Sequence, residues 1–189
     1  MLNRVALAAV ALLSFPAFPT PAFAQGNFRL SSADVAQGAT IKMEQVFNSF
    51  GCTGQNVSPA LQWLGAPAGT KSFSIILHDP DAPTGVGGFT HWIVYNIPAS
   101  VTKLDKGVGA ADGKRLPAGA AQSPTSFGGP GYGGPCPPAG DKPHRYVFTI
   151  YALSVDKLDV PANASQALAG FTINGSKIAT ASFTAMFGR

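Results

Sequence analysis

Two segments of this chain hold residue types at a spacing that could do chemistry: His78-Asp79-Pro80-Asp81-Ala82-Pro83 and Gly131-Tyr132-Gly133-Gly134-Pro135-Cys136-Pro137-Pro138. Each is followed by a histidine, His91 after the first and His144 after the second, and Tyr146 stands two residues beyond His144. A carboxylate beside an imidazole favours its charged form, and a protonated imidazole and a phenol are both good donors to phosphate-type oxygens. Glycines let backbone N–H groups approach an anion and prolines stiffen the rim around it. Taken together these residues describe a pocket for a small anion, with His91, His144 and Tyr146 as donors and Asp79 and Asp81 orienting the histidines. No obvious nucleophile stands among them.

Taken singly, the same residues have plainer readings. Asp-Pro-Asp is a common turn composition, His78 sits on a strand before the turn and reads as structural, and His91 alone reads as a hydrogen-bonded histidine at a strand end. An enzyme reading also exists: a hydrolase using Asp79 and His91 as acid and base, or a metal site built from His91, His144 and Asp79. Against it stand the missing nucleophile and the absence of a metal-spaced pair such as H-x-x-x-H. Residues 129–134 satisfy G-x-G-x-x-G, but Pro135, Pro137 and Pro138 follow at once and prevent the helix that a dinucleotide site requires. The two N-x-S matches, at Asn163 and Asn174, are too short a pattern to carry weight.

The elements that must position these groups are mostly strands. Phe73, Ile75 and Leu77 alternate with Ser72, Ser74 and His78, the period-2 pattern of a half-buried strand. A second strand over residues 92–97 places His91, Ile93 and Tyr95 on one face and Trp92 and Val94 on the other. A third, over residues 144–153, sends His144, Tyr146, Phe148 and Ile150 to one face. Residues 28–32 and 39–47 read as shorter strands, residues 51–59 as a loop and residues 182–187 as a closing strand. A helix is expected from Pro161-Ala162-Asn163 onward, stopped or kinked at Gly170. Residues 103–134, rich in Gly, Pro and Ala, read as a long surface excursion. Several strands with one or two helices argue a β-sandwich-like domain.

A chain of 189 residues, 46% hydrophobic and 12% charged, has the length of one domain and too much apolar character for disorder. Arg4, the apolar run over residues 5–18 and Ala22-Phe23-Ala24 read as a secretory signal cleaved after Ala24, leaving a periplasmic or secreted protein that begins at Gln25 and is not anchored in the membrane. Thirteen Lys and Arg stand against nine Asp and Glu; without Arg4 the balance is 12 minus 9, or +3, spread thinly, with no basic run interleaved with aromatics that would suit nucleic acid. Cys52 and Cys136 sit in Gly/Pro-rich loops of an exported chain, where a disulfide between them persists; two separate buried thiols are the other reading.

At these residues the chain resembles the phosphatidylethanolamine-binding proteins, a family that includes the Raf kinase inhibitor proteins, and within it the bacterial branch of YbhB/YbcL type. The resemblance rests on Asp79 through Pro83, on His91-Trp92, on Gly131 through Pro138 with His144-Arg145-Tyr146 following, and on Asn56 through Trp63 (N-V-S-P-A-L-Q-W). It extends over essentially all of the chain after the signal. It implies a mainly β fold, an antiparallel β-sandwich with Greek-key connections and a few short helices, and a non-catalytic pocket for phosphate-like head groups or small anions, with no cofactor. By position, Asp79, Asp81 and Pro83 would form one wall and His91 the floor. Gly134, Cys136, Pro137 and Pro138 would form the rim, His144 and Tyr146 would stand opposite, and Phe89 would be an aromatic lid. Cys136 stands where glycine or alanine is more usual in cytosolic members, so a disulfide here would pin the rim. The loop over residues 84–89 lacks the basic residues of the mammalian proteins, which, with export, argues against kinase inhibition. The resemblance further implies a homodimer and a small anionic or phosphorylated ligand, or a partner protein.

Overall fold

Alternation of apolar residues fixes the centre of the molecule, a computed structural model that describes residues 28–189; the expected signal and its cleavage point lie outside those residues. Strands β1 (Arg29–Ser31), β2 (Leu61–Leu64) and β5 (Lys103–Leu104) form a small sheet in the order β1-β2-β5. A larger sheet takes β3 (Ser72–Asp79), β4 (Phe89–Pro98), β6 (Ala121–Gln122), β7 (His144–Leu153) and β8 (Lys177–Phe187) in the order β6-β4-β3-β7-β8. All neighbours within the two sheets are antiparallel. After the β3–β4 hairpin the chain returns to lay β7 against β3 rather than β4, the crossing connection of a Greek-key sandwich.

The two sheets close on one apolar layer. Leu30, Leu61, Trp63 and Leu104 of the small sheet join Phe73, Ile75, Leu77, Trp92, Tyr146 and Phe148 of the larger one in a single cluster, all of them buried. Each such side chain contributes about 1.5 to 3 kcal/mol by leaving water. On β8, Ala179, Ala181, Phe183, Ala185 and Phe187 alternate toward this layer, and Phe148 stacks on Phe183 with centroids 4.8 Å apart. The opposite face of the large sheet is covered by the helix α1 (Gln166–Ser176), whose Ala169 and Ile173 pack with Ile93, Tyr95, Leu153 and Leu158.

Four local expectations are corrected. The alternation expected along β4 breaks at His91, because Leu77 pairs with Trp92 while the next residue, His78, pairs with Thr90. The extra residue is a β-bulge, which puts successive side chains on the same side. His91 therefore faces inward near Trp92 instead of sharing the outer face of Ile93 and Tyr95. Residues 39–47 are turns with one bridge, Thr40 to Met186, because from Met43 onward their backbone groups bond to loops: Val46 O accepts from Asn56 N, and Phe47 N donates to Pro135 O. The helix starts later than Pro161, capped by the Ser165 hydroxyl that accepts from Leu168 N at 3.2 Å, and runs through Gly170 because buried Ala169 and Ile173 hold it. Residues 103–134 are no surface excursion, since Leu104, Val108, Ser123, Thr125 and Tyr132 are buried and the segment supplies β5 and β6.

Candidate ligand pocket

The bulge at His91 and the ends of β3 and β7 converge on a cavity of about 210 Å³ lined by Phe50, Asp79, Ala82, Pro83, Thr84, Phe89, His91, Phe127, Cys136, Pro137, Pro138, His144 and Tyr146. Asp79 ends β3 and its carboxylate is buried. Its Oδ1 accepts from the backbone N–H of Asp81 (2.8 Å) and of Ala82 (3.1 Å), the Asx turn that Asp-Pro-Asp encodes. Its Oδ2 accepts from His144 Nδ1 at 2.8 Å. The other ring nitrogen of His144 lies 3.4 Å from Asp141 Oδ2, so this buried imidazole stands between two carboxylates.

His91 has a different environment. Its Nδ1 is 2.8 Å from the Gly133 carbonyl oxygen, and a carbonyl only accepts, so Nδ1 carries the proton. The rings of Phe89, Phe127 and Tyr146 surround it at centroid distances of 5.1, 5.4 and 5.2 Å. Burial among these rings pushes the imidazole down to about 4, outweighing the carbonyl of Gly133 and the charge of Asp79. His91 is thus neutral near pH 7 and Nε2 is a lone-pair acceptor; it makes no hydrogen bond among the described residues. The expected orienting pair of Asp79 with His91 is not formed: Asp79 orients His144, and the Gly133 carbonyl orients His91.

Tyr146 follows His144 by two residues on the same face of β7, as period 2 requires. The Tyr146 hydroxyl is fully buried and faces the Asp79 carboxylate, with no well-formed hydrogen bond among the described residues. Burial and the facing Asp79 carboxylate push the phenol above its ordinary range, so it remains a neutral donor. An unpaired buried hydroxyl costs about 1 to 3 kcal/mol.

The rim comes from two loops joined by a disulfide between Cys52 and Cys136. Gly133 and Gly134 have no room for a side chain: a Cβ would overlap the Phe127 ring at the first and the Gln45 carbonyl oxygen at the second. The backbone N–H of Gly134 donates to Asn56 Oδ1 at 2.7 Å, so this glycine supports the rim from behind rather than lining the cavity. Asp81 also stands outside the lining. It pairs with the Arg145 guanidinium, Oδ1 to Nη2 at 2.6 Å and Oδ2 to Nε at 2.9 Å, and this partner holds its carboxyl at about 2. Of the remaining expected residues, Asp79, Pro83, Phe89, His91, Cys136, Pro137, Pro138, His144 and Tyr146 all line the one cavity. His78 is structural, its Nε2 donating to the Gly87 carbonyl at 3.0 Å and its Nδ1 lying 3.2 Å from Thr90 Oγ1.

The family model described as phosphatidylethanolamine-binding protein matches residues 31–188. The chain belongs to the phosphatidylethanolamine-binding protein family. Within it, the chain is 47% identical over 176 residues to YbcL of Escherichia coli (strain K12), covering 93% of this chain and 94% of YbcL. It is 45% identical over 159 residues to YbhB of the same organism, covering 84% of this chain and 99% of YbhB. The crystal structure of E. coli YbcL superposes with a TM-score of 0.84 at 48% identity, over 86% of this chain and 98% of YbcL. A Mycobacterium tuberculosis relative whose name includes the word lipoprotein, LppC, is 39% identical over 77% of this chain and 65% of its own length.

Phe50 and Phe127 also line this cavity, where the sequence alone does not place them. Phe127 was hidden in a segment read as surface loop, and the available signal was a lone aromatic in Ser126-Phe127-Gly128-Gly129, where nothing local needs it. Phe50 gives no comparable signal: it is 69% exposed and meets the Phe47 and Phe127 rings at 5.5 and 6.1 Å.

Proposed function

We propose that this family member is an exported binding protein without catalytic turnover, whose cavity holds a small phosphate-like or other small acidic group. The observation that carries this reading is the Tyr146 hydroxyl, a buried donor without a well-formed hydrogen bond among the described residues, placed in a cavity whose neighbouring polar groups are already oriented. A bound oxygen acceptor would relieve that hydroxyl. The name of the family points to a phosphorylated ligand in the same direction.

The hydrolase reading has less support. Asp79 accepts three hydrogen bonds and burial lowers the His91 imidazole to about 4, so both are weak general bases toward a nucleophile. Cys136 is in the disulfide, and the Thr84 hydroxyl donates to the Gly88 carbonyl at 2.9 Å. Export is supported by the signal-like residues 1–24, by the disulfide, and by a relative whose name includes lipoprotein. The exported form is proposed to begin at Gln25 and to pair as a homodimer, with a partner protein as an alternative occupant of the pocket; native mass spectrometry of exported material reads the mass and the subunit number together.

The test of the pocket is Tyr146→Phe. Calorimetry with phenyl phosphate is expected to show binding weakened by about 1 to 1.5 kcal/mol, five- to tenfold, while the melting temperature stays level or rises because an unpaired buried hydroxyl is removed. Equal affinity in wild type and variant would sink the reading.

A further inference from the structure

Among the described residues, the floor of the cavity presents one donor and one acceptor, and no lysine or arginine. The donor is the Tyr146 hydroxyl. The acceptor is Nε2 of His91, whose Nδ1–H is committed to the Gly133 carbonyl. The two rings are neighbours, edge to face with centroids 5.2 Å apart, so one small group can address both. None of the residues lining the cavity is Lys or Arg. Arg145, next to His144 in sequence, has its guanidinium on Asp81 and lies outside the lining. A fully ionised phosphate would offer His91 Nε2 only oxygens with lone pairs, facing a lone pair, and would sit beside the Asp79 carboxylate with no lysine or arginine as counter-charge.

Resting on the reading of the cavity as a site for a phosphate-like group, we propose that it selects the protonated form of the acid. A hydrogen-phosphate monoester donates its P–OH to His91 Nε2 and accepts from the Tyr146 hydroxyl through a neighbouring oxygen. The phenyl rings of Phe50, Phe89 and Phe127 and the rings of Pro137 and Pro138 take the organic substituent. His91 acts here as the residue that reads ligand protonation. Its neutral state follows from complete burial in an aromatic cage and from a carbonyl partner that fixes the tautomer. The groups facing it are Asp79 and His78 from β3, Tyr146 and His144 from β7, and the Gly133 carbonyl from the rim; Asp141 lies behind His144, and Asp81 is neutralised by Arg145.

The experiment uses the exported protein with its disulfide intact and two probes, phenyl phosphate and methyl phenyl phosphate. The first loses its remaining P–OH with a second pKa of about 6, whereas the single, strongly acidic P–OH of the diester is already ionised throughout the window. Between about pH 8 and about pH 5, the affinity for phenyl phosphate is expected to rise at least tenfold, while that for the diester stays weak and flat. The diester reports any pH dependence that comes from the protein itself. A parallel rise for both probes, or tighter binding of phenyl phosphate at the higher pH, overturns the proposal. Binding of neither probe at any pH overturns the phosphate-like reading itself, and this inference with it. In His91→Phe the pH slope for phenyl phosphate is expected to vanish. Should that variant fail to fold, nitrogen-detected NMR of the wild type decides: His91 is expected as the neutral Nδ1–H tautomer across the whole window, and a titrating or Nε2–H ring overturns the proposal.

Discussion

His144 and His91 occupy one cavity, yet burial and partners give them different roles. His144 is buried and donates to a buried carboxylate, so His144→Ala both removes a pocket group and leaves Asp79 Oδ2 without its partner. Stability should fall by about 1 to 3 kcal/mol, which calorimetric melts would show as a clear loss of melting temperature. A pocket open to solvent would have predicted little cost, and the 2.8 Å bond to Asp79 is the reason for the difference. For His91 the linkage has the opposite origin. Its folded pKa is depressed to about 4 from an ordinary 6.5, so between those values the unfolded chain binds a proton that the folded protein does not. Stability contributed by neutral His91 is therefore complete above about pH 6.5 and is lost as pH falls toward about 4, by an amount on the order of 3 kcal/mol. Urea unfolding of wild type and His91→Phe over that window measures it. Parallel pH profiles for the two proteins would show that His91 does not set the slope.

At the level of elements, what was legible in the sequence was whatever obeys a fixed period. Along β7 the alternation is unbroken, so the shared face of His144, Tyr146, Phe148 and Ile150 could be read directly. On β4 a one-residue bulge shifts every face after it, and a second irregularity near Asn96, at φ 57°, does the same where its side chain bonds to the backbone of Leu158. No local composition announces such insertions. The segment 39–47 has apolar residues at strand-like positions, Ile41 and Val46 among them, but beyond one bridge to Met186 of β8 its hydrogen bonds go to other loops, which only the tertiary fold decides. The pocket rim is the clearest case. Arg189 donates from Nε to the Pro137 carbonyl at 2.7 Å, from Nη1 to Gly51 at 3.1 Å and from Nη2 to Phe50 at 3.3 Å, so one guanidinium joins the same two loops as the disulfide. Nothing around Arg189 in sequence foretells this. Arg189→Ala is expected to weaken phenyl phosphate binding about threefold by releasing Phe50, with a change in global stability below about 1 kcal/mol because the bonds lie near the surface. Arg189→Lys should not restore affinity, since an ammonium cannot reproduce the planar fork that reaches three carbonyls. Full binding in Arg189→Lys would mean that charge alone suffices.

For the whole molecule, the sandwich and its site depend on different forces. The β3, β4, β7 and β8 sheet is held by a continuous buried layer and by long antiparallel ladders, ten registered pairs between β7 and β8 alone. The two loops that make the rim lie outside any strand, and the bridge between Cys52 and Cys136 spans 84 residues of sequence. Closing a loop of that length restricts the unfolded chain and contributes ~4 kcal/mol in the chain-entropy model. That is a large share of the roughly 5 to 15 kcal/mol by which a domain is stable, but the apolar layer remains when the bridge is cut. Cys52→Ser with Cys136→Ser is therefore expected to lower unfolding free energy by ~4 kcal/mol and still yield a folded sheet. Hydrogen exchange should then separate the two parts. Amides of residues 47–54, such as Cys52 N bonded to Ser49 O and Gly54 N bonded to Phe47 O, should exchange by local opening much faster than in wild type. Amides of β3 and β7 should remain the slowest, exchanging only through global unfolding at the reduced free energy. A uniform loss of protection in both regions, with no loop-specific opening, would show that the bridge stabilises the domain as a whole without specially ordering the mouth of the pocket.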